Sequence, residues 1–152
     1  MNVHSFACKT SWAGATTSYE AYSRALHVEI HGKPPLEMSA AGAFRGDESR
    51  HNPEDMLVVA LSTCHALSYL ALASRAHLEV IAYEDSASGT MQLEDGAIRF
   101  TDVLLRPKVT LRNADDAARA RAQALHEKAH AQCFIANSVS FPVRHEATTL
   151  ST

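Results

Sequence analysis

The chain has 152 residues and a mass of 16.5 kDa, the size of one ordinary domain, which excludes a large multidomain enzyme. With 46% hydrophobic and 20% charged residues, six Gly and five Pro, it has the makeup of a packed globular protein rather than a disordered or fibrous one. Fourteen Lys plus Arg against seventeen Asp plus Glu give a formal charge of −3, and no basic run tracks a phosphate backbone, so nucleic acid is not an expected partner.

Residues 1–15 lack a basic start followed by a continuous apolar stretch, so no secretory signal is expected. The chain reads as one cytoplasmic domain, 1–152, with a loosely ordered segment over 1–15. Three Cys are too few and too odd in number for a disulfide framework. In a reducing compartment such thiols are buried small hydrophobes, metal ligands or reactive groups.

Residues 16–38 read as strand. Leu26, Val28 and Ile30 alternate with His27, Glu29 and His31, and Gly32-Lys33-Pro34-Pro35 makes a turn before Leu36 and Met38 resume the pattern. A loop of small and charged residues over 39–51 leads to Asn52-Pro53-Glu54-Asp55, a helix start: Asn52 can cap, Pro53 suits the first helical position, and two carboxylates meet the positive end of the dipole. From residue 56 to 74 nothing is formally charged and apolar residues point to every side, so this helix is expected to be buried all round. Its length approaches that of a membrane span, but Ser62, Thr63, Cys64, His65 and Ser68 crowd its middle, and a core helix is the reading adopted. A chain this small struggles to surround such a helix, so a partner subunit is expected to help cover it.

Residues 79–111 return to strand, with an Asp-Gly hairpin signal at Leu93-Glu94-Asp95-Gly96, and Pro107 marks an edge or a bulge. Asn113 is expected to cap a second helix over 114–132, with Ala118, Ala122, Leu125 and Ala129 on its packed face. Residues 135–144 close the fold as a strand. The order of elements is that of an α+β protein with strands grouped as antiparallel hairpins.

Taken alone, Cys64 on an apolar helix is inert packing, because burial silences a thiol. Cys133 closes the second helix, and two thiols on two buried helices also suit a nucleophile and its resolving partner. Cys8 lies in the polar N-terminal segment and reads as incidental. His126-Glu127-Lys128-Ala129-His130 satisfies the H-E-x-x-H pattern of zinc proteases, but a short pattern in a His-rich chain is weak. Metal binding through His126, His130 and Cys133 stays a minor alternative, and the other His residues read as surface.

Phe44-Arg45-Gly46, Asn52-Pro53-Glu54-Asp55-Met56-Leu57 and Leu61-Ser62-Thr63-Cys64-His65 together resemble the first-cysteine motif of the OsmC/Ohr family of organic hydroperoxide reductases. His130-Ala131-Gln132-Cys133-Phe134-Ile135-Ala136-Asn137-Ser138 resembles the second, and Tyr22-Ser23-Arg24 is similar to the segment that bears the family's active-site arginine. The resemblance implies an OsmC-like α+β fold, with antiparallel sheets wrapped around long central helices in an intertwined homodimer. It also implies a two-cysteine peroxidase needing neither metal nor cofactor. Cys64 would attack the hydroperoxide as nucleophile, and Cys133 would close a disulfide on the resulting sulfenic acid. An external dithiol, of lipoyl type or on a lipoylated protein, would reopen it. Arg24 would favour the thiolate, and Glu54 would hold Arg24. Glu54 lies ten residues before Cys64, ~15 Å along one helix at ~1.5 Å per residue, so it would reach the site through Arg24 or from another chain, as the family's intertwined homodimer implies. The sequence departs from the family pattern at Phe134, where many relatives have Pro, and at His65, which reads as packing or surface. The alternative is a non-enzymatic protein of the same fold that binds a small apolar ligand or senses oxidants.

Overall fold

The computed structural model describes residues 2–152, which form two compact units divided between Leu57 and Val58. In the first, β1 (Lys9–Ser11), β2 (Leu26–Glu29) and β3 (Leu36–Met38) make an antiparallel sheet in that order, with Lys9 opposite Glu29 and Leu26 opposite Met38. The expected hairpin forms, β2 pairing with β3 across the turn at Gly32-Lys33-Pro34-Pro35, but its first strand begins at Leu26 rather than near residue 16, and the segment before residue 16 contributes a strand of its own. Residues 12–25 are turns and loop, because Trp12, Tyr19 and Tyr22 pack edge to face with one another rather than alternating across a sheet.

A one-turn 3-10 helix, Gly42–Phe44, ends at Arg45 in the left-handed region, at φ 64. The chain doubles back so tightly here that a Cβ on Gly46 would stand 1.5 Å from the Ala40 carbonyl oxygen. Buried Ser39 ties the loop, its Oγ accepting from the Asp47 amide at 3.0 Å and its amide donating to the His51 carbonyl at 2.8 Å.

Helix α1 (Pro53–Arg75) starts as its sequence requires, with Asn52 Oδ1 accepting from the Asp55 amide at 2.7 Å. It continues through the second unit, where Leu61, His65, Tyr69 and Ala73 form a buried stripe at four-residue steps. Val59, Leu67 and Leu70 stay exposed, so within one chain the helix is buried on one face and not all round. It has the length and hydropathy of a membrane span, yet its buried stripe belongs to the interior of the second unit.

That unit continues with β4 (Val80–Asp85), β5 (Ser88–Glu94), β6 (Ala97–Leu105), β7 (Pro107–Leu111), α2 (Asp116–Gln132), β8 (Val143–His145) and β9 (Thr148–Ser151). Its sheets have the orders β4-β7-β9 and β5-β6-β8. The Asp-Gly hairpin forms as expected: Glu94 pairs with Ala97, and Asp95 and Gly96 take φ values of 50 and 79. Pro107 is neither on an edge strand nor in a bulge. It is the first residue of the central strand β7, a position where its missing N–H is tolerated.

Asn113 lies in the left-handed region outside α2, and Asp115 is the cap, its side chain accepting from the Ala118 amide at 2.7 Å. Residues 135–144 are mostly not strand. After a 3-10 turn, Ala136–Ser138, β8 begins only at Val143, and β8 and β9 add in parallel to β6 and β7. The core gathers Tyr69, Ala73, Leu78, Val109, Leu111, Ala122, Leu125 and Ala129 between the helices and sheet β4-β7-β9.

Replacing Gly46 by Ala is expected to destabilise the first unit by at least about 2 kcal/mol, because the backbone must move to admit the methyl group. Urea unfolding of the variant beside the wild type checks this, and equal midpoints would contradict the tight turn.

Candidate active site

The geometry that brings side chains together lies between α1 and α2. Cys64, at the middle of α1, and Cys133, the residue that ends α2, are 69 positions apart in sequence, and the fold makes their free thiols neighbours. Cys133 is fully buried. Burial, and after it the neighbouring Cys64 thiol, push its thiol up to about 11. The Ala136 amide donates to Cys133 Sγ at 3.4 Å, and Asn137 Nδ2 donates to the Ala131 carbonyl at 3.0 Å, so the turn after α2 holds the thiol in place. Cys133 is thus kept protonated beside a partly exposed Cys64. Such a pair can divide its work, with one thiol accessible to a reagent and the other reserved to react with the first. Cys8 is exposed in the segment before β1, apart from this arrangement.

A second buried contact runs alongside. His65 and His126 are both completely buried, their rings parallel to within 4° and joined between His65 Nε2 and His126 Nδ1 at 3.1 Å. Tyr69 stacks on His126 with centroids 4.1 Å apart and donates its hydroxyl to the Ala122 carbonyl at 3.2 Å. His145 packs against His65, His126 and His130 at 5.5, 5.9 and 5.8 Å. Burial, then the neighbouring His145 and His130, hold His65 down to about 4, while burial and the neighbouring His65 and His145 hold His126 down to about 3. Both are therefore neutral at physiological pH.

Of the two readings of His65, packing or surface, the structure gives packing, and the picture of scattered surface histidines is corrected for His65 and its neighbours. His65 falls on the same four-step stripe as Leu61, Tyr69 and Ala73, and His126 lies beside Ala122, Leu125 and Ala129. That periodicity was the available signal. The H-E-x-x-H match does not present its two His to one ion: His126 turns inward to His65, and among the described residues no group of three His, Cys, Asp or Glu side chains is arranged to hold a metal.

Close to this cluster, Ser62 Oγ donates to Asp85 Oδ2 at 2.5 Å, and the Arg106 amide donates to Asp85 Oδ1 at 2.7 Å. Ser62 belongs to the polar cluster that the sequence placed at the middle of the helix, whereas nothing in the sequence marked out Asp85.

Arg24 and Glu54 belong to the first unit. Arg24 lies in the loop before β2, not in a strand, bracketed by aromatic rings with its guanidinium 4.2 Å from the Tyr22 centroid and 5.0 Å from that of Tyr19. Its nitrogens donate to the carbonyls of Tyr19 at 2.8 Å and Tyr22 at 3.2 Å. Glu54 carries a buried Oε2 with no hydrogen-bond partner, and among the described residues no ion pair joins it to Arg24. Beside Arg24 a cavity of about 480 Å³ is walled by Trp12, Tyr19, Tyr22, Phe44 and Pro53.

Three comparisons place this arrangement among known proteins. The family model described as OsmC-like protein matches residues 46–148. An uncharacterised protein of Bacillus subtilis, YmaD, is 26% identical over 142 residues, spanning 90% of this chain and 87% of that protein. Among solved structures, an OsmC-like protein of unknown function from Vibrio cholerae superposes with a TM-score of 0.86 at 30% identity, covering 95% of this chain and 99% of the other. A Legionella pneumophila organic hydroperoxide resistance protein has a TM-score of 0.72 at 16% identity, with 99% of each chain covered, a likeness of fold.

The buried histidines make stability depend on pH with a definite sign. Their folded values lie below the 6.5 of the unfolded chain, so their contribution is complete above that value and is lost as pH falls from 6.5 towards 4. Urea midpoints measured between about pH 7 and pH 5 should fall by a few kcal/mol in free energy, and His65→Gln/His126→Asn should flatten the slope. An unchanged slope in the double variant would contradict the buried neutral pair.

Proposed function

Because the chain belongs to the OsmC-like family, we propose that it is a thiol-dependent peroxidase of the organic hydroperoxide reductase type, acting through Cys64 and Cys133. The observation that carries this reading is the meeting of the two thiols across α1 and α2, one partly exposed and one buried and kept protonated. Proteins of the same fold from Legionella pneumophila and Elizabethkingia anophelis are named for organic hydroperoxide resistance, which agrees with it.

In this mechanism the Cys64 sulfur attacks the outer oxygen of the hydroperoxide. The O–O bond breaks, the alcohol departs with a proton, and Cys64 is left as a sulfenic acid. Cys133 then forms an S–S bond to Cys64, the S–O bond breaks, and the hydroxyl leaves as water with the Cys133 proton. A lipoyl-type dithiol, free or on a lipoylated protein, reduces the disulfide and is itself oxidised. Arg24 is the permanent cation that favours the thiolate and orients the peroxide, and the rings of Tyr19 and Tyr22 leave its charge undiminished. Glu54 has an unsatisfied buried oxygen suited to accept from a guanidinium. We assign the active form to a cytoplasmic homodimer in which a second copy covers Val59, Leu67 and Leu70 on α1.

The aromatic-walled cavity of the first unit favours one second reading, a protein of this fold that binds a small apolar ligand without turnover. The two readings separate in a single assay. Purified protein should consume cumene hydroperoxide faster than hydrogen peroxide with dihydrolipoamide as reductant, Cys64→Ser should abolish consumption, and Cys133→Ser should reduce one equivalent and then accumulate sulfinic acid. Full activity in either variant, or none in the folded wild type, would sink the mechanism. Arg24→Ala should slow alkylation of Cys64 and peroxide consumption by about a hundredfold, the scale of losing one preorganised charge, and unchanged rates would remove Arg24 from the site.

A further inference from the structure

The proposed chemistry uses neither His65 nor His126, yet these two carry the most unusual contact in the molecule. His65 immediately follows Cys64 on α1, and His126 lies seven residues before Cys133 on α2. Hydrogen bonds join His65 to His126 and Tyr69 to the Ala122 carbonyl, and the neighbouring thiols Cys64 and Cys133 continue the same order along the two helices. As the α1 residues advance, their partners recede along α2, so the contacts form one seam between helices running in opposite senses. Apolar packing permits sliding by small increments, whereas a nitrogen-to-nitrogen hydrogen bond of 3.1 Å in a dry interior has one register.

The bond also has a definite proton count. Two neutral imidazoles facing each other through Nε2 and Nδ1 share one proton, which leaves one outer nitrogen bare and the other protonated. These outer atoms are His65 Nδ1 and His126 Nε2, both buried without a hydrogen-bond partner. Leaving two polar atoms unsatisfied costs free energy, and a core built for stability alone would carry apolar side chains here. The groups facing the pair are Tyr69 on its own helix, His130 on α2, His145 on β8 with Glu127 3.4 Å from its Nε2, and Tyr83 and Asp85 on β4.

We infer that His65 and His126 are positioning residues for disulfide closure: their ring-to-ring hydrogen bond registers α1 against α2, so that a sulfenic acid on Cys64 meets the Cys133 thiol before it meets a second hydroperoxide. This rests on the peroxidase reading for its role in turnover, but the effect on the thiol pair itself does not. Closure forms the S–S bond, breaks the S–O bond and releases water with the Cys133 proton. The competing reaction adds a second oxygen from hydroperoxide to Cys64, giving sulfinic acid and a second alcohol.

The test compares full-length wild type with His126→Phe, which keeps a flat ring on Tyr69 but no hydrogen bond, and His126→Asn, which restores a polar atom near the Nδ1 position. In lipoamide/dihydrolipoamide buffers without peroxide, His126→Phe should hold the Cys64–Cys133 disulfide about tenfold less favourably, a rise of about 30 mV in its potential. After a pulse of cumene hydroperoxide, its ratio of sulfinic acid to disulfide should rise about tenfold, well inside the ~10²-fold that an ångström of misplacement can cost. His126→Asn should return both readouts to near wild type. Wild-type potential and partition in a folded His126→Phe protein would overturn the inference, as would failure of His126→Asn to restore them. Should the wild type not consume peroxide, the peroxidase reading falls while the potential still decides the role of the pair. If His126→Phe does not fold, His65→Phe breaks the bond from the other helix, and nitrogen NMR of the wild type at about pH 7 supplies an arm free of variants. A proton coupled to both His65 Nε2 and His126 Nδ1 supports the shared bond, and its absence overturns it.

Discussion

The polar seam between α1 and α2 sets terms that the rest of the second unit must meet. In a buried interior, the Tyr69 hydroxyl, the His65–His126 pair and the two thiols are best accommodated where each finds its particular neighbour. Hydrophobic burial of Ala73, Leu78, Val109, Leu111, Ala122 and Leu125 supplies the non-directional attraction that brings the helices onto sheet β4-β7-β9. The seam selects which of many apolar packings is adopted. Small residues on α2 matter to this selection, because Ala122 and Ala129 let the helix approach closely enough for side chains as short as Cys to meet.

The same low-polarity environment gives the two thiols different characters. Burial holds Cys133 as a thiol, while Cys64, on the partly exposed side of the seam, remains open to approach. The first unit contributes charge of a different kind. Arg24 is held by backbone carbonyls and aromatic faces rather than by a carboxylate, so its cation is positioned without being neutralised. Glu54 is the converse, a carboxylate at the start of α1 with one oxygen unsatisfied. A single chain therefore leaves a buried acceptor open and an apolar face of α1 uncovered.

Much of the fold was legible in the sequence because it is written in local chemistry. Asn52 and Pro53 begin α1 through contacts within one turn, and Asp95-Gly96 turns the β5–β6 hairpin through its own backbone freedom. The failures share a cause. Pro107 was read as an edge because a strand interior rejects it, but the chain breaks at Arg106 and lets Pro107 open a central strand. Asn113 was read as a cap from residue type alone, while Asp115, two residues on, makes the hydrogen bond. Strands β8 and β9 add in parallel to distant strands, a pairing that no short-range alternation encodes.

By itself the sequence determined the α+β order, the start of the long helix, and the three segments whose resemblance to the OsmC/Ohr family singles out Cys64, Cys133, Arg24 and Glu54. It did so because capping, turn geometry and motif identity reside in a few consecutive residues. Only the tertiary structure decided that the thiols are neighbours, that His65 turns inward to His126, and that Arg24 is bracketed by tyrosines. The physical reason lies in α1, whose apolar residues face every direction. Its periodicity cannot name the buried side, and that choice, with every contact made across it, belongs to the elements that pack against the helix.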